Sequence, residues 1–386
     1  MPLELFFDLV FVLALTQCTA LMADEPTWTG VGKGMLILGV LWWAWVGYAW
    51  LTSVVEPEET LVRFAIFGAM AAMLVVSLSI PQAFGDWGLL FAVAYAIVRL
   101  GQIALFALAS HDDPRLRRSL ITGLAWSTVV GSGLLVAAAF ADGALQGALW
   151  TLALAIDLAG PLLFGVEGWR LEPGHFAERH GLIVIIALGE SIVAIGIAAE
   201  VGLDAGVVAT AVLGVFVAAA LWWLYFDIVA LVAERRLVNA APGRERNAIA
   251  RDSFSYLHLP MVAGIVLLAL GLKTALAHVG DALHAVPALA LLGGTALYLL
   301  AHVAFRWRNV HRFSVQRLVC AIVLVALVPL AMEIPALASL AILAVLLAAL
   351  IAYENVRFAE LRERLRHQLG EGAGATADPG TAGPGH

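Results

Sequence analysis

The chain is dominated by long apolar segments joined by short polar connections, and this succession limits its fold more than any other feature. A membrane-spanning helix needs roughly 20 mostly apolar residues, and about twelve segments of that kind are present. They cover residues 3–23, 30–53, 61–80, 87–109, 119–140, 144–164, 180–199, 206–232, 254–274, 284–305, 315–332 and 335–353. Because lipid offers the backbone no hydrogen-bond partners, we predict an all-α, polytopic transmembrane helix bundle of about 12 spans.

The composition is that of a membrane protein. Hydrophobic residues make up 62% of the chain and charged residues 13%, whereas about a quarter of the residues in a soluble domain are charged. This apolar composition predicts the lipid bilayer as a partner. The net charge of -7 is not accompanied by a basic patch of the kind that nucleic-acid binding needs, so we predict no nucleic-acid partner. Cys18 and Cys320 each lie within an apolar segment, which favours core positions over a disulfide or a metal site.

The positive charges indicate a topology. All of the 22 Lys and Arg residues except Lys33, Lys273 and Arg99 lie near connections on one side of the predicted membrane. Positively charged connections face the cytoplasm, so we predict that both termini are cytoplasmic. This arrangement requires an even number of spans.

Three pairs of segments share motifs in the same order. They are residues 4–12 with 178–186, Trp42-Trp43 with Trp222-Trp223, and Tyr95-x-x-x-Arg99 with Tyr298-x-x-x-His302. We predict a tandem duplication, with a first six-helix half at 1–170, a second at 171–369, and a disordered tail rich in Gly, Ala and Pro at 370–386. Residues 354–368 are charged and predict a cytoplasmic helix that extends the second half. Six is even, so the halves would have parallel topology, as in one class of secondary transporter.

Four motifs in order also resemble the bacterial low temperature requirement protein A (LtrA) family. They are Glu4-Leu-Phe-Phe-Asp-Leu-Val-Phe-Val, His175-x-x-Glu178-Arg179-x-Gly181-Leu with Leu188-Gly189-Glu190-Ser191, Trp222-x-x-Tyr225-Phe226-Asp227, and Tyr256-x-His258. The loop Glu56-Pro57-Glu58-Glu59 before Arg63 is similar to a further family pattern. The resemblance implies a multi-pass protein of the bacterial cytoplasmic (inner) membrane, in a family named for growth at low temperature. It implies no biochemical activity, so a mechanism must be argued from the residues.

Ionisable residues within the spans are the candidate functional residues. Such groups are costly in lipid and normally face a bundle interior or a water-filled cavity. The candidate substrate or ion pathway comprises Glu4, Asp8, Glu178, Arg179, His180, Asp227, His258 and His302 toward the cytoplasmic side, and Arg99, Asp157 and Glu190 nearer the midplane. We predict a polar cavity that opens to the cytoplasm and is closed at its inner end by Arg99 with Glu190 or Asp157.

Each candidate also has a structural interpretation, and the sequence leaves both open. Glu190 is either a carrier or a buried acid bonded to Arg99 or to a hydroxyl. Arg99 is either a counter-ion or a contact for an anionic substrate. The three histidines either carry protons near neutral pH or are fixed in one neutral form. Asp157, before Gly160-Pro161, marks either a helix break or a kink. The tryptophans of 42–50 indicate packing, an interfacial belt or a role in stacking against a ligand.

Motifs of known enzyme classes are missing from the sequence, which has no H-E-x-x-H, G-x-S-x-G, Walker A or G-x-G-x-x-G pattern. We therefore predict no catalytic residue, no metal site and no cofactor. Three classes of function stay open. The favoured one is a secondary transporter, coupled to a proton or another ion, for a small ion or an anionic solute. The others are a membrane-embedded enzyme acting on a lipid-like substrate and a noncatalytic sensor or assembly protein. The oligomeric state is not readable.

Overall fold

The computed structural model describes residues 2–53, 59–111, 113–164, 168–198 and 204–359. Within these ranges the regular structure is helical, which confirms the predicted all-α class. The acidic loop at 54–58, the tail at 370–386 and most of the charged extension before it lie outside the described residues.

The described residues form seventeen α-helices with short 3₁₀ and π segments between some of them. The α-helices are α1 (Pro2–Asp24), α2 (Trp28–Leu51), α3 (Thr60–Ser79), α4 (Gly88–Ala109), α5 (Pro114–Ser119), α6 (Trp126–Ala138), α7 (Gly143–Phe164), α8 (Pro173–Ala198), α9 (Ala205–Phe226), α10 (Val229–Val238), α11 (Arg244–Ile249), α12 (His258–Ala277), α13 (Ala285–Ala288), α14 (Gly294–Val310), α15 (Val315–Ala326), α16 (Val328–Ala331) and α17 (Ala336–Arg357). A 3₁₀ turn at Ile80–Gln82 follows α3, and π segments at Leu120–Ala125, Ala250–Tyr256 and Leu289–Gly293 join α5 to α6, α11 to α12 and α13 to α14.

Eleven helical spans among the described residues are long and apolar enough to cross a membrane. The predicted segment 315–332 corresponds to a shorter apolar helix, α15, which is followed after Leu327 by the four residues of α16. Pro329 lies at this junction, where its missing N–H cannot continue a helical ladder. The prediction of a polytopic helical protein is confirmed. The part of the chain that the structure describes has eleven long spans and the shorter helix α15, where the sequence predicted about twelve spans of similar length.

The connections lie at two ends of the bundle. Arg170 pairs with Asp113 at 2.8 Å, and the Asn247 amide donates to the Trp169 carbonyl at 2.7 Å, so the connections before α5 and α8 meet each other and α11. We call this the arginine-rich end. The connection between α1 and α2 lies at the opposite end, where Lys33 pairs with the Glu25 carboxylate at 3.1 Å.

Helices α2 and α12 form the centre of the bundle. Trp42, Trp43 and Trp45 on α2 are all buried, so these tryptophans pack inside the protein rather than form an interfacial belt. Helix α12 packs against α8, α14, α1 and α9. A Cβ atom at Gly264 would lie 2.6 Å from the backbone oxygen of Gly294, so glycine is what allows α12 and α14 to approach so closely.

Candidate functional site

A buried group of charges joins the first helix to the eighth. Glu4 and Asp8 are one turn apart on α1, and both face α8. Arg179 donates from Nη2 to Asp8 Oδ1 at 2.8 Å, and its Nη1 lies 3.7 Å from Glu4 Oε1. His175 Nε2 lies 3.0 Å from the same Glu4 oxygen. We call these four residues the acid–arginine cluster, and only His175 among them is appreciably exposed.

Helix α2 completes the surroundings of this cluster. The Trp45 indole N–H donates to Asp8 Oδ1 at 2.8 Å, and the Arg179 guanidinium carbon lies 5.5 Å from the centre of the Trp45 ring. Arg179 Nη1 also donates to Thr52 Oγ1 at 2.9 Å. These partners stabilise the charges of Asp8 and Arg179, which would otherwise be costly inside a helix bundle.

A row of histidine and tyrosine rings lies next to the acid–arginine cluster. The rings of His180 and Trp45 are 4.9 Å apart, and those of His180 and His258 are 5.2 Å apart. His258 Nδ1 lies 3.0 Å from the Ser253 carbonyl, and its Nε2 lies 2.8 Å from the Tyr225 hydroxyl. Since a carbonyl can only accept, Nδ1 carries the hydrogen and Nε2 accepts from Tyr225. His258 therefore fits the interpretation of a neutral, fixed form.

His302 is the exception in this row. Its ring lies 4.4 Å from that of Tyr298 and 5.9 Å from that of Tyr225, yet both ring nitrogens lack a hydrogen-bond partner among the described residues. The residue is buried, with 1% of its surface exposed. Buried polar atoms in native proteins usually have partners, so an unpaired imidazole calls for an explanation.

Arg99 lies at the centre of a third group. The residue is fully buried, and its Nη2 donates to Thr128 Oγ1 at 2.9 Å and to Asp157 Oδ1 at 3.3 Å. Its Nη1 donates to Gln102 Oε1 at 2.8 Å and to the Trp43 carbonyl at 3.4 Å. Of the two predicted partners for Arg99, Asp157 is the one in contact. Helix α7, which carries Asp157, continues through Pro161 without a break.

Glu190 lies apart from Arg99, between α8 and α1. Thr16 Oγ1 donates to Glu190 Oε2 at 2.5 Å, and 2% of the Glu190 surface is exposed. The neighbouring Ser191 hydroxyl is buried and has no hydrogen-bond partner among the described residues. The predicted pathway residues thus form separate groups within the bundle.

The two other predicted residues lie outside these groups. Glu178 is on the exposed face of α8. Asp227 caps α9, is half-buried, and lines a cavity with His302. Eight of the predicted residues therefore lie in the three clusters, Glu190 contacts Thr16, and Glu178 lies on the surface.

Two cavities adjoin these groups. The Arg99 cavity has a volume of about 50 Å³ and is lined mainly by α2, α4 and the first two π segments, a kind of bulge that is frequent at functional sites. Its polar lining residues are Arg99, Gln102, Arg251 and Ser255. The His302 cavity has a volume of about 280 Å³ and lies among α9, α10, α14, α15 and α17 at the arginine-rich end. Its polar lining residues are Asp227, His302, Arg306, Asn309, Arg312, Ser314, Arg317 and Glu354.

Several partners were not predicted from the sequence. Arg317 donates from Nε and Nη2 to the two Glu354 oxygens at 2.9 and 2.8 Å, and this pair joins α15 to α17. His175 belongs to one of the family motifs but is not among the predicted site residues. The available signal was its spacing of four residues from Arg179, which places both on one face of a helix.

Comparison with known proteins gives a family and no activity. The family model described as "Bacterial low temperature requirement A protein (LtrA)" matches residues 1–352. An uncharacterized protein of Rhizobium meliloti (strain 1021) is 33% identical over 309 residues, which cover 77% of this chain and 74% of that protein. No solved structure matches.

Proposed function

We propose that this chain, which belongs to the bacterial low temperature requirement A (LtrA) family, is a secondary transporter of the cytoplasmic membrane. It moves a small ion or an anionic solute and is coupled to a proton or another ion. It is built from two tandem six-helix halves of parallel topology, at 1–170 and 171–369, with both termini in the cytoplasm. The arginine-rich end faces the cytoplasm in this proposal.

The observation that carries the proposal is the pair of cavities. Each cavity lies mainly among the second, fourth, fifth and sixth spans of its proposed half, and Arg251 and Ser255 of the second half also line the Arg99 cavity. Arg99 lines one cavity and His302 lines the other, and these two residues occupy matching positions in the proposed repeat. Transporters with internal repeats carry their substrate and ion sites near the interface between the repeats, and the Arg99 cavity, which residues of both proposed halves line, is placed as such a site would be.

Helix packing supports the proposed duplication. In the first half α1 packs against α2 and α3, and α3 packs against α4. In the second half α8 packs against α9 and α12, and α12 packs against α14. The Tyr95 hydroxyl donates to the Val40 carbonyl at 3.3 Å, and the Tyr298 hydroxyl donates to the Leu221 carbonyl at 2.8 Å. Each tyrosine thus ties the fourth span of its half to the second.

The junction between the proposed halves supports a role in transport. Helices α1 and α8 run in the same direction, because Asp8 contacts Arg179 and Thr16, further along α1, contacts Glu190. The two contacts are eight residues apart on α1, or about 12 Å. Two polar contacts at different depths on one helix pair would allow the halves to part at one level while staying closed at the other. Glu190 is the proposed carrier at the deeper level.

A flux assay tests the proposal. Purified protein is reconstituted in proteoliposomes, and uptake of a panel of inorganic cations and anions is followed with and without a pH gradient. The wild type should move at least one solute faster than empty liposomes. Glu190→Gln should reduce that flux about tenfold or more, because it removes the carrier charge.

Glu178→Gln is the matched control, since it neutralises an exposed acid on the same helix. It should transport like the wild type. Both variants must elute as monodisperse protein. The proposal fails if the wild type moves none of the solutes, or if Glu190→Gln transports as fast as Glu178→Gln. Chemical conversion of lipid by the wild type without flux would favour the enzyme interpretation.

A further inference from the structure

We propose that the His302 cavity is a binding site for a phosphate group, carried either by an anionic lipid headgroup or by a free phosphate. This inference concerns binding alone, so it holds or fails whether or not the protein transports a solute.

The cavity has a surplus of positive charge. Its charged lining residues are Asp227, Arg306, Arg312, Arg317 and Glu354, which are three guanidinium groups and two carboxylates. Arg317 and Glu354 bind each other through both carboxylate oxygens. The two charges of this buried pair cancel each other. Arg306, Arg312 and Asp227 remain, and they give the cavity a net positive charge.

Arg306 has donors to spare. Its Nη1 donates to Ser314 Oγ at 2.9 Å, whereas a guanidinium carries five N–H groups in a planar fork. Such forks match the oxygens of phosphate and carboxylate groups. Arg312 follows His311, whose φ of 51° is left-handed. That residue ends α14 and turns the following chain toward the same cavity.

His302 makes this a site for a ligand rather than only a positively charged surface. It is one helical turn from Arg306 on α14, so both line the same cavity. Its two ring nitrogens are buried without a hydrogen-bond partner among the described residues. Because both nitrogens have almost no accessible surface, a turn of the ring toward the cavity would let a bound oxygen supply the partner that this imidazole lacks. A phosphate group offers several acceptor oxygens, enough for His302 and the two arginines together.

The size and the walls of the cavity fit a phosphate group with an apolar attachment. Its volume of about 280 Å³ far exceeds the space that one buried water needs. Apolar side chains, mostly on α9, α10 and α14 and including Phe358 after α17, form the rest of its wall, and Trp223 among them is exposed on the outer face of the bundle. The space therefore adjoins the membrane as well as the arginine-rich end, which allows entry from either source.

Binding to purified full-length protein tests the inference. Delipidated protein is titrated with inorganic phosphate, phosphatidylglycerol and, as a phosphate-free amphiphile, diacylglycerol, and retention is read by native mass spectrometry. The wild type should retain phosphatidylglycerol, inorganic phosphate or both above the diacylglycerol level. Arg306→Gln and His302→Gln should each weaken that binding about tenfold or more, and Arg306→Lys should retain part of it.

Arg236→Gln is the matched control, because Arg236 pairs with Glu245 on the exposed surface. It should bind like the wild type. Retention of the lipid alone identifies a headgroup site, and retention of inorganic phosphate alone identifies a soluble ligand; both support the inference. Binding no better than that of diacylglycerol overturns it. Unchanged binding in a folded Arg306→Gln or His302→Gln variant overturns it as well.

Discussion

Arg99 and His302 are both buried polar side chains that line cavities, yet their surroundings differ. Arg99 is held by an acid, an amide, a hydroxyl and a carbonyl, beside a space of about 50 Å³. His302 has no hydrogen-bond partner among the described residues and borders about 280 Å³. In the first group, Arg99 Nε and Gln102 Nε2 lack a partner among the described residues, but both terminal guanidinium nitrogens of Arg99 are bonded within the protein. The difference indicates that the first group mainly stabilises the bundle, whereas the second is arranged to bind a ligand.

The tryptophan pairs show a related contrast. Trp42 and Trp43 are buried because α2 packs against α1, α4, α7 and α12. Trp222 and Trp223 are 44% and 40% exposed, so the matching helix α9 lies at the periphery. The same local sequence thus serves in the core of one proposed half and at the lipid-facing surface of the other.

The largest effect should come from removing the acid beside Arg99. Asp157→Asn should destabilise the protein by about 3–5 kcal/mol, because it leaves a buried guanidinium without its counter-charge. The double variant Arg99→Met with Asp157→Leu should recover most of that loss. Denaturation in mixed micelles measures both. A loss below about 1 kcal/mol in Asp157→Asn would show that Arg99 is not held as described.

A smaller effect should follow from displacing Gln102. A Cβ atom at Gly47 would lie 2.0 Å from Gln102 Nε2, so Gly47→Ala should move this side chain away from Arg99 and cost about 1–3 kcal/mol. Gly133→Ala is the control, because no heavy atom of another described residue lies within 4 Å of its Cβ position. It should be neutral or stabilise α6 by up to about 1 kcal/mol. Equal melting temperatures for the two variants would contradict this prediction.

A substitution at the His302 cavity should raise the stability of the protein instead of lowering it. His302→Leu removes a buried imidazole that has no hydrogen-bond partner within the described part of the chain, so it should stabilise the ligand-free protein by about 1 kcal/mol. The same change should abolish the proposed phosphate binding. Thermal unfolding of delipidated protein measures the first effect, and marked destabilisation would mean that His302 has a structural partner.

The smallest effects should distinguish the tryptophans. Trp42→Phe loses a hydrogen bond of 2.7 Å from the indole N–H to the Ser255 carbonyl and should cost about 1 kcal/mol. Trp222→Phe, on the exposed face of α9, should stay within about 0.5 kcal/mol of the wild type. Equal losses in thermal unfolding would indicate that the two helices are not as differently placed as described.

The sequence predicted the helical class and the positions of most spans, because a segment that crosses lipid must be long and apolar. It also predicted Asp157 as one of two partners for Arg99. It did not predict the indole donor of Trp45, since an indole in an apolar helix looks like packing. The Arg317–Glu354 pair was missed because hydropathy gives the length of a span, not its rotation or its neighbours.

The contact between α1 and α8 bears on how the chain is assembled. Arg179, the buried counter-charge of Asp8, lies 171 residues further along the chain, so α1 enters the membrane long before its partner has been synthesised. The contacts of α1 with α8 therefore form only after α8 has been synthesised and has packed beside α1. A fragment that stops short of Arg179 would leave the carboxylates of Glu4 and Asp8 in the membrane without their guanidinium counter-charge.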